Sequence, residues 1–67
     1  MRVELNGSPV ELDEDASVAA AVDALGTESS RGVAVAVDGD VVPRSAWEAT
    51  TLREGQQVEV LHAVQGG

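Results

Sequence analysis

The stretch Val33-Ala34-Val35-Ala36-Val37-Asp38-Gly39-Asp40-Val41-Val42-Pro43-Arg44-Ser45-Ala46-Trp47 decides how this chain folds. Its first five residues alternate valine with alanine. β-Branched residues suit a pleated surface, and a period of two assigns Val33, Val35 and Val37 to one face, Ala34 and Ala36 to the other. Asp38-Gly39 is a tight-turn signal, so Val41-Val42 reads as a short returning strand. Pro43 cannot donate to a ladder and ends it. Ser45 to Glu48 is expected to form a short helical turn carrying Trp47.

Working outward, the N-terminal side begins with Val3 and Leu5 alternating with Arg2, Glu4 and Asn6, the period of a half-buried strand. Asn6-Gly7 predicts a turn, and Val10 and Leu12 resume the alternation after Pro9, which an edge strand tolerates. After the acidic run Asp13-Glu14-Asp15, residues Val18, Ala21, Val22 and Leu25 recur at the spacing of one helix face. Ser17 is suited to cap that helix, the acidic run favours the positive end of its dipole, and Gly26 suits its stop. Residues 27–32 form a polar connection. On the C-terminal side, Glu54-Gly55 signals a turn and Gln57-Val58-Glu59-Val60-Leu61 alternates as a last strand, with Val58 and Val60 inward and Glu59 and Leu61 outward. The order is strand, strand, helix, strand, short strand, strand. A helix following a hairpin can cover one sheet face, which makes the fold class α+β, a sheet of about five strands with one main helix. The predicted organisation is one domain over 1–63 and a flexible tail over 64–67.

Composition limits what such a chain can do. At 67 residues it makes one domain with little room for an internal substrate pocket. Hydrophobic content is 43%, enough to fold, but Trp47 is the sole aromatic residue, so valine, alanine and leucine must do the packing. There is no cysteine, which removes disulfides, thiolate metal sites and cysteine nucleophiles. The formal charge is −8, from 12 acidic residues against 4 arginines, with no lysine. Nucleic acid and anionic membranes would be repelled, whereas a basic protein partner would be attracted. No stretch resembles a signal peptide or reaches membrane-spanning length. The expectation is a soluble, cytoplasmic protein.

Catalytic constellations are missing. His62 is the one histidine, with no cysteine to join it in a metal site and no nucleophile elbow to serve as base. No phosphate-binding glycine loop occurs. No metal or catalytic residue is expected, and the chain reads as a non-enzyme. The end of the chain is the remaining candidate. Gly66 and Gly67 lack Cβ atoms and can enter a narrow channel. Fully extended, Val64 to Gly67 would reach about 13 Å, enough to place the terminal carboxylate inside a partner while the body docks outside. A carboxylate is a poor electrophile until adenylated. Sulfur attack on the adenylate would leave a terminal thiocarboxylate, so a chain without cysteine would carry sulfur at a single place. Small flexible termini are also common without any such role.

The segment from Val35 to Trp47, with its Val42-Pro43-Arg44 and a Trp three residues past the Arg, resembles the ThiS family of sulfur carriers in thiamine (thiazole) biosynthesis. Leu52-Arg53-Glu54-Gly55-Gln56-Gln57-Val58-Glu59-Val60 resembles that family's turn into the last strand, and Val64-Gln65-Gly66-Gly67 its tail. The resemblance covers the whole chain. Two positions depart from it: the family commonly has Asn where Asp38 stands and Asp where Gln56 stands. The resemblance implies a β-grasp (ubiquitin-like) fold, a mixed sheet with the first and last strands side by side at its centre. It implies that a ThiF-like, E1-type adenylyltransferase uses ATP to adenylate Gly67, that a sulfur-donor system makes the thiocarboxylate, and that a ThiG-like thiazole synthase takes the sulfur. The carrier itself would bind no cofactor. Gly66 and Gly67 carry over as functional residues; Pro43, Arg44 and Trp47 carry over as motif positions, Trp47 in a packing or turn role.

A docking surface follows from the alternation. Ala34, Ala36 and Leu61, facing away from the helix, would form a shallow apolar patch, with Val64 beyond it. Three other functions share these features: a sulfur carrier of the MoaD type in molybdopterin synthesis, a ubiquitin-like protein modifier, and a binding module with an idle tail.

Overall fold

The computed structural model describes residues 1–25 and 32–62. Gly26, most of the polar connection and the tail residues Val64, Gly66 and Gly67 lie outside the described residues. The elements are β1 (Arg2–Leu5), β2 (Ser8–Glu11), α1 (Val18–Ala24), β3 (Val33–Val37), β4 (Asp40–Val42), a single 3₁₀ turn (Arg44–Ala46) and β5 (Gln57–His62).

Both hairpins turn where the sequence signals them. Asn6 and Gly7 have φ of 51° and 84°, Asp38 and Gly39 of 49° and 87°. Positive φ at both central residues matches the right-handed twist of the flanking strands, which is why Asn-Gly and Asp-Gly occupy these places. β1 pairs antiparallel with β2 from Arg2 opposite Glu11 to Leu5 opposite Ser8. Pro9 therefore sits on an edge strand. β3 pairs antiparallel with β4, Ala36 opposite Val41.

The sheet order is β2-β1-β5-β3-β4. β5 is inserted between β1, to which it runs parallel, and β3, to which it runs antiparallel. The first and last strands are thus neighbours at the centre of a mixed sheet, as the family resemblance implies. Backbone bonds from Glu4 N to Gln56 O and from Asn6 N to Val58 O, both 2.9 Å, hold the parallel pair. On the other side, Asp38 fixes the start of β5. Its Oδ1 accepts from Gln57 N at 3.0 Å and its Oδ2 from Gln56 Nε2 at 3.1 Å. This contact explains the two departures from the family pattern. Asn at 38 with Asp at 56 would keep one carboxylate and one carboxamide at this corner, on exchanged positions.

One sheet face is covered. Val3, Leu5, Val35, Val37, Val58 and Val60 are buried against Val18, Ala21 and Val22 of α1 together with Trp47 and Leu52. Burying a side chain of this kind contributes about 1.5–3 kcal/mol relative to exposure, so a core of valines suffices where large aromatics are missing. Leu25, expected on the same helix face, is 37% exposed. The helix ends at Ala24 and Leu25 is its C-cap, so the fourth position of the predicted stripe leaves the buried face.

The N-terminus of α1 is satisfied by more than its cap. Ser17 Oγ accepts from Ala20 N at 3.2 Å, as expected of an N-cap. The preceding two free N–H groups bond to a distant segment: Val18 N to Thr50 O at 2.9 Å and Ala19 N to Trp47 O at 3.2 Å. The acidic run does not enter the helix, whose first turn holds no acid. Ala16, buried and accepting from Leu52 N at 2.8 Å, is drawn to the core and separates the run from the helix. The run instead borders the N-terminal ammonium, 3.6 Å from Glu14 and 3.8 Å from Glu11.

The turn around Trp47 also differs in detail from its sequence reading. It begins at Arg44 rather than Ser45, because Pro43 sits at the N-cap position with extended ψ of 148° and its carbonyl accepts from Ala46 N at 2.8 Å. Trp47 follows the turn and points into the core, 5% exposed, its indole Nε1 donating to Val42 O at 2.9 Å.

Candidate functional site

The alternation that sends valines to the core sends a second set of residues to the uncovered sheet face. Ala34 lies opposite Leu61 and Ala36 lies opposite Glu59 across the β3–β5 pair. Directly opposite residues share a face, so Ala34, Ala36 and Leu61 belong to one surface. Leu61 is 66% exposed. Ala34 is exposed and Ala36 half-buried. The structure therefore brings these three together beside the end of β5, while Val64 lies outside the described residues. His62, exposed, is the last residue of β5.

Val41 extends this surface and was missed in the sequence reading. It is 75% exposed and stands opposite Ala36. The signal was present: a two-residue turn at Asp38-Gly39 forces Val37 opposite Asp40 and Ala36 opposite Val41, which puts Val41 on the alanine face. The result is an apolar strip running from β5 through β3 to β4.

The same face changes character across β5. Glu59 of β5, Glu4 and Arg2 of β1 and Glu11 of β2 are all exposed. Arg2 Nε lies 3.4 Å from Glu11 Oε1, a cross-strand ion pair with both side chains largely in water. Such a pair contributes little to stability. The surface thus presents an apolar half on β5, β3 and β4 beside a mostly acidic half on β1 and β2. A complementary partner would carry apolar side chains flanked by basic ones.

Concavities on the body include one between α1 and the 3₁₀ turn and one over the acidic run. The first is lined by Ala19, Val22, Asp23, Arg44, Ser45, Trp47 and Glu48. Each lining holds one serine beside carboxylates, and neither holds a histidine. Among the described residues no group of three or more His, Cys, Asp or Glu is arranged to hold a metal ion. No described helix is long and apolar enough to cross a membrane.

The family pattern of ThiS matches residues 3–67. This chain belongs to the ThiS family. The match takes in both the sheet and the terminal Gly66-Gly67. The chain is also similar to the crystal structure of a thiamine biosynthesis protein (ThiS) from Geobacter metallireducens, with a TM-score of 0.82, 35% sequence identity and complete coverage of both chains. A solution structure of a thiamine biosynthesis protein from the same organism aligns with a TM-score of 0.79 and 35% identity, over all of this chain and 88% of the other. No curated protein sequence matches. The β-grasp arrangement expected from the ThiS resemblance is the one observed, with β5 between β1 and β3.

Proposed function

We propose that this ThiS-family protein is a sulfur carrier of thiazole formation in thiamine biosynthesis, acting through the carboxylate of Gly67. The observation that carries this reading is the family match, which spans residues 3–67 and so includes the terminal diglycine. The protein serves as a carrier on which other enzymes work, in the cytoplasm. A ThiF-like adenylyltransferase brings ATP. The Gly67 carboxylate attacks the α-phosphorus, pyrophosphate leaves, and an acyl adenylate results. Hydrosulfide supplied by the donor system then attacks the acyl carbon and AMP departs, leaving the thiocarboxylate. A ThiG-like thiazole synthase accepts that sulfur. The carrier binds no cofactor of its own. Gly66 and Gly67 pass the partner's channel because neither carries a side chain. The absence of cysteine and lysine means that no thiol or ε-amine of this chain competes for the activated carbonyl.

Mass spectrometry on protein from thiamine-starved cells tests this reading. Cleavage after Arg53 releases a peptide from Glu54 to Gly67 that contains neither Met nor Cys. Exchange of oxygen for sulfur in that peptide, with a further mass increase when an alkylating agent captures the thiocarboxylate sulfur, is the expected result. An unshifted peptide under starvation, or high-mass adducts to other proteins in its place, would count against it.

The strip formed by Leu61, Ala34, Ala36 and Val41 is the docking surface for the adenylating partner in this reading. Leu61→Asp places a charge at its β5 end, on an exposed side chain that no core residue needs. The expected outcome is a rise in KM for the carrier of about tenfold, from loss of one well-placed apolar contact, with thermal unfolding unchanged. Wild-type adenylation kinetics in this variant would remove the strip from the interface.

A further inference from the structure

β1 and β5 run parallel only as far as Leu5 opposite Val58. At Asn6 the backbone turns away, with φ of 51°, into the hairpin to β2. A parallel ladder continued by backbone alone would have to stop there, leaving the N–H and C=O of Val60 without a partner on the β1 side. The Asn6 side chain fills that place. Its Oδ1 accepts from Val60 N at 2.8 Å and its Nδ2 donates to Val60 O at 3.2 Å. The carboxamide acts as one further peptide group of β1, and it holds a residue that is 54 positions distant in the chain.

The turn by itself does not require this residue. Asp38 occupies the corresponding place in the other hairpin, with φ of 49°, and there a carboxylate serves because its neighbours are donors. At position 6 the facing pair is one donor and one acceptor, which only a carboxamide can satisfy at this length.

The place of the contact gives it a consequence beyond stability. Val60 is the last residue of β5 gripped from both sides. Leu61 and His62 are paired to β3 alone, opposite Ala34 and Val33. Five further residues separate His62 from the end of the sequence. We infer that Asn6 is a positioning residue for the reaction at Gly67: by clamping Val60 it sets the direction in which the chain leaves the sheet toward the partner's active site. This inference rests on the function proposed above. Loss of the clamp lets the end of β5 pivot about its pairing with β3, while Leu61 stays opposite Ala34 in the docking strip.

The test is steady-state adenylation of the full chain by a ThiF-type enzyme with ATP, together with amide hydrogen exchange at Val60. Asn6→Asp keeps the turn and the acceptor but loses the donor. Asn6→Gly keeps the turn, since glycine adopts positive φ freely, but has no amide. With wild-type carrier adenylated and both variants folded at the assay temperature, faster exchange at Val60 should accompany a fall in kcat of about tenfold, with KM within about twofold of wild type, as misplacement of a reacting group by a fraction of an ångström implies. Faster exchange with unchanged kcat would overturn the inference. So would a loss of activity that merely follows the unfolded fraction. Failure of the wild-type carrier itself to be adenylated would overturn the proposed function, and this inference with it.

Discussion

A variant lacking Gly67 is expected to be folded normally and to be inert as a substrate for adenylation. The buried core, as far as the residues are described, ends at Val60, and glycine has no side chain to pack against it. Unfolding free energy should stay within about 0.5 kcal/mol of wild type. The chemical effect is of a different order. Deleting one residue draws the carboxylate back by about 3.3–3.6 Å along an extended chain. In-line attack on a phosphorus held in a partner's site tolerates far less, and displacement by about 1 Å can cost a hundredfold in rate. Adenylation measured by pyrophosphate exchange should therefore fall by at least that factor, while a melting curve recorded alongside overlays the wild type. Appending one residue after Gly67 should act in the same direction. A truncated carrier that exchanges pyrophosphate at the wild-type rate would refute the assignment of the reaction to Gly67.

The second large effect is on stability. Trp47→Ala should leave the domain substantially unfolded at 25 °C. Trp47 is the sole aromatic residue, is 5% exposed, and touches three parts of the fold at once. Its ring packs in the core, its indole N–H is bonded to Val42 O at the end of β4, and its carbonyl accepts from Ala19 N in the first turn of α1. Truncating a buried Trp to Ala costs about 3–5 kcal/mol. A single core of this size commonly supplies about 3–5 kcal/mol in total. The two magnitudes are equal, which is why the fold should not survive the change. Trp47→Phe keeps most of the apolar volume but strands the Val42 carbonyl, a loss of about 1–3 kcal/mol. Urea unfolding should rank the proteins wild type, Trp47→Phe, Trp47→Ala. Equal midpoints for wild type and Trp47→Ala would show that the ring is not part of the core.

These two predictions separate the chain into a body that must fold and an end that must react. The body's stability depends on Trp47, Ser17 and the valine core. If the proposed function holds, substitutions elsewhere in the body that preserve the fold should be tolerated, provided the strip around Leu61, the clamp at Asn6 and the diglycine remain. That independence accords with a relative sharing 35% of its residues yet aligning over its whole length with a TM-score of 0.82.

Much of this was legible from residue order, for local reasons. The valine-alanine alternation of 33–37, the Asn-Gly and Asp-Gly turns and the Ser17 cap each act within a few residues of themselves, so their outcome is written into the neighbouring chain. The proposal that Gly66 and Gly67 form the reactive end rests on the sequence alone, on their lack of side chains, and both lie outside the described residues. Tertiary structure decided the rest. The insertion of β5 between β1 and β3 pairs segments more than 50 positions apart, and no local pattern encodes that choice. The first two N–H groups of α1 found their acceptors on Thr50 and Trp47 only once that segment had packed. Leu25 fell out of the core because the helix stopped one residue short of it. Asn6 shows the division in a single side chain. Its positive φ is a property of the dipeptide Asn6-Gly7, but its bond to Val60 exists only because the parallel strand was brought alongside. Local sequence fixes conformations whose cost and reward lie within one turn of chain, whereas contacts between distant segments depend on burying one shared apolar face.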